Sequence, residues 1–455
     1  AVAVLLDHGA GVNARESEWG QTPLIFAAAY NRVEALGVLL RRGADAGIST
    51  EVVDVPARQE RDLAARQRRN QVLAALQAEQ GRQEQVWRPG PSQVRAAVRA
   101  ARRQQPLQAN EAAEDSTDYE EAQPEPLSYG DLVGSYGGLT ALLHAAREGH
   151  AAAALALLEA GSDINRVSGG DHTSPLLIAT INGHFDLALL LLDRGADPNL
   201  PSDAGAAPLY ATLNARWAPK ARYPQPQAYQ QQQVTYLDVM EALLDAGADP
   251  NARLTKHLWY MGYTFDLLRV DTKGATPFWR AAYATDVEAM SLLMAHGADP
   301  KSATQNVPQR RRRGGGGERE DLSGLPPVPV GGPAVYPIHA ASGVGYGEGY
   351  AGNSHRHVPD GWVPAVKYLV EELGAQVNAR DHNGYTPLHH AAARGDNELI
   401  LYLVEQGADV TVVSRRGQTT ADMANGPVQR IRPFPETVTL LEGLGSKNNH
   451  NCVSC

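Results

Sequence analysis

Apolar positions in this chain fall in short clusters with helical spacing, separated by turns that contain glycine. Leu399, Ile400, Leu403 and Val404 lie three and four residues apart, so a helix over this stretch has one apolar face. The turn Arg394-Gly395-Asp396 precedes it, and before that comes a shorter segment, Thr386-Pro387-Leu388-His389-His390-Ala391-Ala392. A threonine N-cap followed by a first-turn proline predicts the start of a helix there. Leu388 and two small alanines let that helix lie close to its neighbours. Gly407, after the second helix, fits a left-handed C-terminal cap. A helix–turn–helix unit this small cannot bury its own apolar face, so it has to be stacked on others.

The same pattern recurs along the chain. Starts resembling Gly384-Tyr-Thr-Pro-Leu388 occur at Gly20-Gln-Thr-Pro-Leu24, Gly138-Leu-Thr-Ala-Leu142, Ser174-Pro-Leu176, Ala207-Pro-Leu209, Gly274-Ala-Thr-Pro-Phe278, Tyr336-Pro-Ile338 and Gly417-Gln-Thr-Thr-Ala421. A closing phrase alternates with them at Gly43, Gly161, Gly195, Gly247, Gly297, Gly374 and Gly407. Gly161 to Gly195 is 34 residues and Gly374 to Gly407 is 33. At these residues the chain resembles the ankyrin repeat family, whose period is ~33 residues. The resemblance implies an all-α ankyrin-repeat solenoid with β-hairpin-like tips. One partial unit at 1–14 and eight more are expected, at 15–47, 137–168, 169–201, 202–252, 271–302, 334–379, 380–412 and 413–445. The family's histidine after T-P-L stands at His389 and His339. Ile25, Leu143, Leu177, Tyr210 and Trp279 replace it elsewhere, which removes the family's Thr–His hydrogen bond from those units.

Insertions divide the array. Repeats over 1–47 are followed by a charged insertion at 48–136. From Ala57 to Arg103 it holds eleven arginines and four acids, and from Asn110 to Pro126 seven acids and no base. Its basic part predicts helices near 57–80 and 92–104, with Pro89 and Pro91 between them. Its acidic part reads as disordered. Either it is a solvated helical excursion whose two charge blocks attract each other, or it is an arm that binds a partner. Repeats resume over 137–302, with an extended Pro/Gln/Tyr loop expected at 216–235 and an aromatic, array-packed segment at 254–270. An Arg/Gly/Pro-rich flexible linker follows at 303–333, with an RNA-contacting tract at Arg310–Arg313 as the alternative. Repeats then run over 334–445, with a mobile loop at 343–360 above the binding face. On that loop His355 and His357 are either solvated or a metal-binding pair. A tail at 446–455 ends the chain.

Apolar residues are 43% and charged residues 20% of the chain, which suits a folded rather than a disordered protein. The formal net charge of -10 argues against general nucleic-acid affinity. No apolar run approaches the ~18 residues of a membrane span. No signal peptide, phosphate-cradling loop, G-x-S-x-G elbow or H-E-x-x-H helix occurs, so no enzyme is expected within the visible chain. The first and last residues read as the cut ends of a fragment.

Both cysteines, Cys452 and Cys455, lie in a terminal C-x-x-C. That spacing has four readings: haem thioethers, a zinc half-site, a redox pair or a prenylation box. The stretch from Ala421 to Cys455 resembles the junction in bacterial ankyrin proteins that continue into a c-type haem segment. This resemblance favours covalent haem c at Cys452 and Cys455, conditional on a following histidine. It implies export to the periplasm; without haem the chain is expected in the cytoplasm. The expected function is a protein–protein interaction scaffold tethering a downstream haem domain. The alternatives are the regulatory region of a larger enzyme and a cytoplasmic interaction protein with an incidental C-x-x-C. Candidate partner-binding residues on the tips are Trp19, Asp171, His172, Lys273, Asp381, His382, Asn383, Arg415 and Arg416.

Overall fold

A computed structural model describes residues 1–79, 87–102, 125–219, 227–258, 268–308, 321–349, 352–428 and 432–453. They form two compact units, Ala1–Glu51 with Gly137–Cys455, and Val52–Tyr136.

The first unit opens with α1 (Val2–Asp7), α2 (Pro23–Ala29) and α3 (Val33–Arg41). The second unit intervenes with β1 (Val52–Asp54), α4 (Val55–Glu79), α5 (Pro91–Arg102), α6 (Tyr129–Val133) and β2 (Ser135–Gly137). Helix pairs then resume: α7 (Ala141–Arg147) with α8 (Ala151–Glu159), α9 (Pro175–Ile181) with α10 (Phe185–Asp193), and α11 (Pro208–Trp217) with α12 (Tyr236–Asp245). Next come α13 (Pro277–Tyr283) with α14 (Val287–Ala295) and α15 (Pro337–Ser342) with α16 (Trp362–Lys367), which a single π-helical turn extends to Glu372. The last pairs are α17 (Pro387–Arg394) with α18 (Asn397–Glu405) and α19 (Thr420–Ala424) with α20 (Pro435–Gly443).

The start phrases act as the sequence predicts. Thr22, Thr140, Ser174, Thr276, Thr386 and Thr419 each accept the backbone N–H three residues on, at 3.1–3.4 Å. Ala207 has no side chain to do so, and α11 starts on its proline alone. First helices pack on first helices in one row, α2 on α7, α7 on α9, and so on to α17 on α19. Ala27 and Ala28, Ala145 and Ala146, Ala281 and Ala282, and Ala391 and Ala392 are buried in this row. Their small side chains let the first helices approach closely. Second helices carry leucines, such as Leu39, Leu157, Leu191, Leu243 and Leu403, and fill the space behind. One apolar core runs from Leu24 to Leu441.

A polar ladder joins the closing phrases. Asn13, Asn165, Asn199, Asn251 and Asn378 each accept the backbone N–H of the aspartate in the following closing phrase, at 2.7–2.9 Å. Asn199, Asn251 and Asn378 also donate to the glycine carbonyl of that phrase. Asn165, Asn199 and Asn251 sit two residues after their own aspartate, as in Asp197-Pro198-Asn199; Gly11 and Gln376 take the aspartate's place before Asn13 and Asn378. Gly47 and Lys301 stand in the asparagine's place in two units, just before the two long interruptions at 48–136 and 303–333. The closing glycines hold φ between 67° and 91° with open space where a Cβ would sit, so their requirement is conformational.

Insertions depart from several expectations. The 216–235 stretch is partly helical: α11 runs on to Trp217, a 3-10 turn spans Ala228–Gln231, and Thr235 caps α12. Residues 220–226 lie outside the described set. The 343–360 segment is packed rather than a mobile loop. Val344, Ser354 and His355 are buried, and the Val358 N–H bonds the Ala284 carbonyl of the preceding repeat at 2.9 Å. Each of these insertions leaves a helix–helix turn where glycine or a small residue gives room, and its apolar groups find neighbours there. In the second unit α4 packs on α5 and α6, and β1 pairs with β2. Pro91 begins α5 instead of separating two helices. The acidic stretch expected to be disordered, and Arg310–Arg313, lie outside the described residues apart from Glu125 and Pro126.

Asn199→Ala removes both ladder hydrogen bonds, and Gly247→Ala forces a Cβ into φ 88°. Each is expected to cost about 1 kcal/mol, read as a lower urea midpoint. Unchanged midpoints in both variants would remove the ladder and the cap from the account of stability.

Candidate partner-binding surface

The first-helix row presents three different surfaces along its length. At α2, Leu24, Ile25, Ala27 and Ala28 are buried, while Phe26 and Tyr30, four residues apart, are 43% and 65% exposed. Trp19 on the preceding tip is 41% exposed; Glu16 anchors its turn by accepting the N–H groups of Glu18, Trp19 and Gln21.

From α11 onward the chain fills its own groove. Tyr210 and Trp279 occupy the position of the family histidine, and with Tyr283 they are buried under Leu254, Leu258, Leu268 and Val270. The Trp279 indole N–H donates to the Val335 carbonyl at 2.9 Å. The 254–270 insertion therefore packs on the array as expected, through its described ends; residues 259–267 lie outside the described set.

Further on, the 343–360 segment closes the groove. The His355 ring lies 4.3 Å from that of Tyr283 and 5.7 Å from that of Trp362. Burial, then the neighbouring His357, hold its pKa well below the usual histidine value. His355 is thus neither solvated nor part of an open metal site, because aromatic rings surround it. Among the described residues no group of three or more metal-ligating side chains occurs. The Arg394 guanidinium sits 3.5 Å from the Trp362 ring centre and pairs with Asp396.

The family's Thr–His bond is present at His389, where Thr386 Oγ1 lies 2.8 Å from Nδ1 and His389 Nε2 reaches the Gln418 carbonyl of the next unit at 3.3 Å. At His339 the capping residue is Tyr336, whose backbone N–H donates to Nδ1 at 3.3 Å instead. His339 Nε2 likewise reaches the Ala379 carbonyl at 2.9 Å.

The tip candidates separate into groups. Trp19 and His172 are exposed, and His172 Nδ1 lies 2.7 Å from Asp203 on the next tip. Asp171 accepts the Ser168 hydroxyl at 2.8 Å, and the Lys273 N–H donates to Asp271. Asp381 is a correction. It is 3% exposed, accepts the Asn383 and Tyr385 N–H groups at 2.9 Å, and lies 3.1 Å from His390 Nε2. Burial opposes its ionisation, yet the His390 hydrogen bond and the nearby His390, His339 and His382 rings outweigh that and hold its carboxyl at about 2. Its role is to build the turn. Asn383 donates to Glu348 at 2.7 Å, and Arg415 donates to the carbonyls of His382, Leu325 and Pro326 and pairs with Asp321. These two side chains clasp the chain's own loops, and the half-buried His382 lies beneath them. Arg416 stays exposed.

Family comparisons fall on these segments. A model described as ankyrin repeats (many copies) matches residues 354–404, one for ankyrin repeats (3 copies) matches 124–202, and one for the ankyrin repeat matches 19–51. These segments are ankyrin repeats. Alpha-latrocrustotoxin-Lt1a of Latrodectus tredecimguttatus is 24% identical over 188 residues, which are 41% of this chain and 9% of the toxin. Protein phosphatase 1 regulatory subunit 12A of Mus musculus is 37% identical over 71 residues, 16% of this chain and 7% of that protein. Protein phosphatase 1 regulatory subunit 27 of Mus musculus is 36% identical over 89 residues, 20% of this chain and 53% of that protein. The chain thus spans under a tenth of the length of the first two. A crystal structure of the human ASB11 ankyrin repeat domain aligns with TM-score 0.40 and 22% identity, covering 66% of this chain and 97% of that one.

The ankyrin array ends in a folded tail. Asp422 accepts the N–H groups of Thr419, Asn449 and Asn451, and the Thr419 hydroxyl donates to the Lys447 carbonyl at 2.6 Å. The tail thus gives the last first helix the partners that a following tip gives the others. Cys452 sits in this tail and is disulfide-bonded; Cys455 lies outside the described residues.

Sequence reading missed the asparagine ladder, although its D-x-N spacing was visible. It also missed the pair of Asp381 with His390, where the doubled histidine after T-P-L was the signal. His144, at the position equivalent to His390, is buried with no hydrogen-bond partner on either ring nitrogen. Burial, then Arg147, lower its pKa to about 4; burial lowers His339 to about 4 and His389 to about 3. A histidine whose folded pKa is depressed stabilises the fold fully above its unfolded pKa, about 6.5, and loses that contribution as pH falls toward the folded value. Asp381 adds a loss between about pH 4 and 2. Stability is expected to decline from pH 6.5 downward. His144→Leu, which removes an unpartnered polar ring, is expected to stabilise the array by about 1–2 kcal/mol and to flatten the upper part of that decline in urea unfolding at pH 7 and pH 5. A variant no more stable at pH 5 would contradict this.

Proposed function

We propose that the chain is a non-catalytic scaffold that holds a protein partner at the open first-helix face of its first repeats. The observation behind this reading is the contrast between Phe26 and Tyr30, exposed on α2, and the first-helix row from α11 onward, which the chain's own insertions cover. Exposed aromatics beside one another are the residues that dominate protein interfaces. Two similar proteins bear names of phosphatase regulatory subunits, which supports a regulatory binding role. The partner is a protein of unassigned identity.

Tethering of a downstream haem domain, a bacterial origin and export remain part of the proposal, carried by the C-x-x-C and the tail resemblance. Covalent haem is checked by pigment that stays with the denatured chain, and the compartment by trapping free thiols in cells.

The binding proposal is tested by placing a photo-crosslinking amino acid at Tyr30, and at Leu401 on the outer row as a control. A discrete crosslinked species is expected from position 30, absent from position 401, and lost when Trp19→Ala and Phe26→Ala are added. Equal crosslinking at both positions, or none at position 30, would reject the proposal.

A further inference from the structure

We propose that the tip around Arg415 is a peptide-docking site, occupied here by the chain's own residues 321–326 and open to a protein partner's segment of the same chemistry. That segment is extended, with an acid, a leucine next to it, and proline five positions after the acid, as in Asp321, Leu322 and Pro326. The site is separate from α2 and does not depend on the reading given there. Arg415 Nε donates to the His382 carbonyl of the preceding tip at 2.8 Å, which fixes the guanidinium on the array. Its other two nitrogens serve the 321–326 segment. Nη1 pairs with the Asp321 carboxylate and donates to the Leu325 carbonyl at 3.2 Å, and Nη2 donates to the Pro326 carbonyl at 2.6 Å. One planar group with donors in a fixed fork thus reads a carboxylate and two successive carbonyls. The Leu322 N–H donates to the Arg415 carbonyl at 3.3 Å. The Leu322 side chain rests on Gly417, where a Cβ would stand 2.6 Å from its Cδ1. Asp321 accepts the Ser323 N–H at 2.9 Å and hydroxyl at 2.6 Å, so the segment's own side chains set its turn.

Burial marks this contact as exchangeable. No residue from 321 to 333 is buried, and Leu322 is 58% exposed, so releasing the segment uncovers no core. The 343–358 segment differs, because Val344, Ser354 and His355 are buried. Stretches held by exposed hydrogen bonds, with few buried apolar contacts, open at low free-energy cost. Pro326, Pro327 and Pro329 carry no N–H, so this stretch is held out of helix and sheet and its carbonyls are left to an outside donor. A partner segment with the same acid, leucine and proline meets the same donors. The chain's own copy restrains it, since a tethered segment acts at an effective concentration on the order of millimolar.

The test uses the full chain and a labelled synthetic peptide of residues 321–328, read by fluorescence anisotropy. Asp321→Lys with Leu322→Lys sets positive charge against Arg415 and releases the chain's own segment, at positions that carry no core. The peptide is expected to bind this released variant about tenfold more tightly than the parent chain, whose own segment competes. Adding Arg415→Ala should weaken binding to the released variant about tenfold. Adding Arg415→Lys should give an intermediate value, because charge remains and the fork is lost. A peptide carrying Asp321→Asn should bind several-fold more weakly than the original peptide. The lysine variant and the asparagine peptide decide the outcome where the alanine variant loses helix content by circular dichroism. Equal binding to parent and released chains, no binding to the released variant at millimolar peptide, or binding indifferent to Arg415→Lys and to the asparagine peptide would each overturn the proposal.

Discussion

No helix pair in the array can shield its apolar side from water, and the contact between successive pairs is the interaction on which the rest of the structure depends. The alanines of the first helices set how close that contact is, and the leucines of the second helices fill what remains. Polar groups serve the same contact. The asparagine ladder ties one closing turn to the next, His389 reaches the Gln418 carbonyl of the following unit, and His339 reaches the Ala379 carbonyl at the end of its own. Stability in such an array is close to a sum of neighbour terms, so a break in one place is tolerated when the flanking units hold.

That tolerance explains how the chain carries so many insertions. The ladder stops at Gly47 and Lys301, and the two longest interruptions follow at once. The 343–360 and 227–235 segments enter between the two helices of a unit, away from the tips, and pack against the turn of the preceding unit: Tyr229 lies over Gly183, and Val358 and Gly361 lie against Thr285. Phe434 does the same over Gly395 between α19 and α20. A side chain at Gly183 would meet the backbone and Cβ of Tyr229, and one at Gly395 the ring of Phe434, so both the left-handed backbone and the missing Cβ are used there.

The same insertions decide where a partner can reach. Leu254, Leu258, Leu268 and Val270 cover the first-helix row around Trp279, and the rings around His355 cover it farther on. Phe26 of α2, Tyr30 just past its end and the Trp19 tip stay exposed.

The repeat was legible in the residues themselves. Thr-Pro starts, Gly-Ala-Asp closes and a period near 33 depend on interactions within one unit: capping, a fixed proline φ and a left-handed glycine. The helices of the basic insertion were legible for the same local reason. Tertiary structure decided what depends on residues far apart in the chain. Asp381, read as a tip residue, turns inward because His390, nine residues on, meets its carboxylate. The 343–360 stretch, with its glycines and tyrosines, reads as a mobile loop until Tyr283, Trp362 and Arg394 from three other helices enclose it. Capping and turn geometry are encoded within a few residues, but burial is a property of what else arrives at the same place.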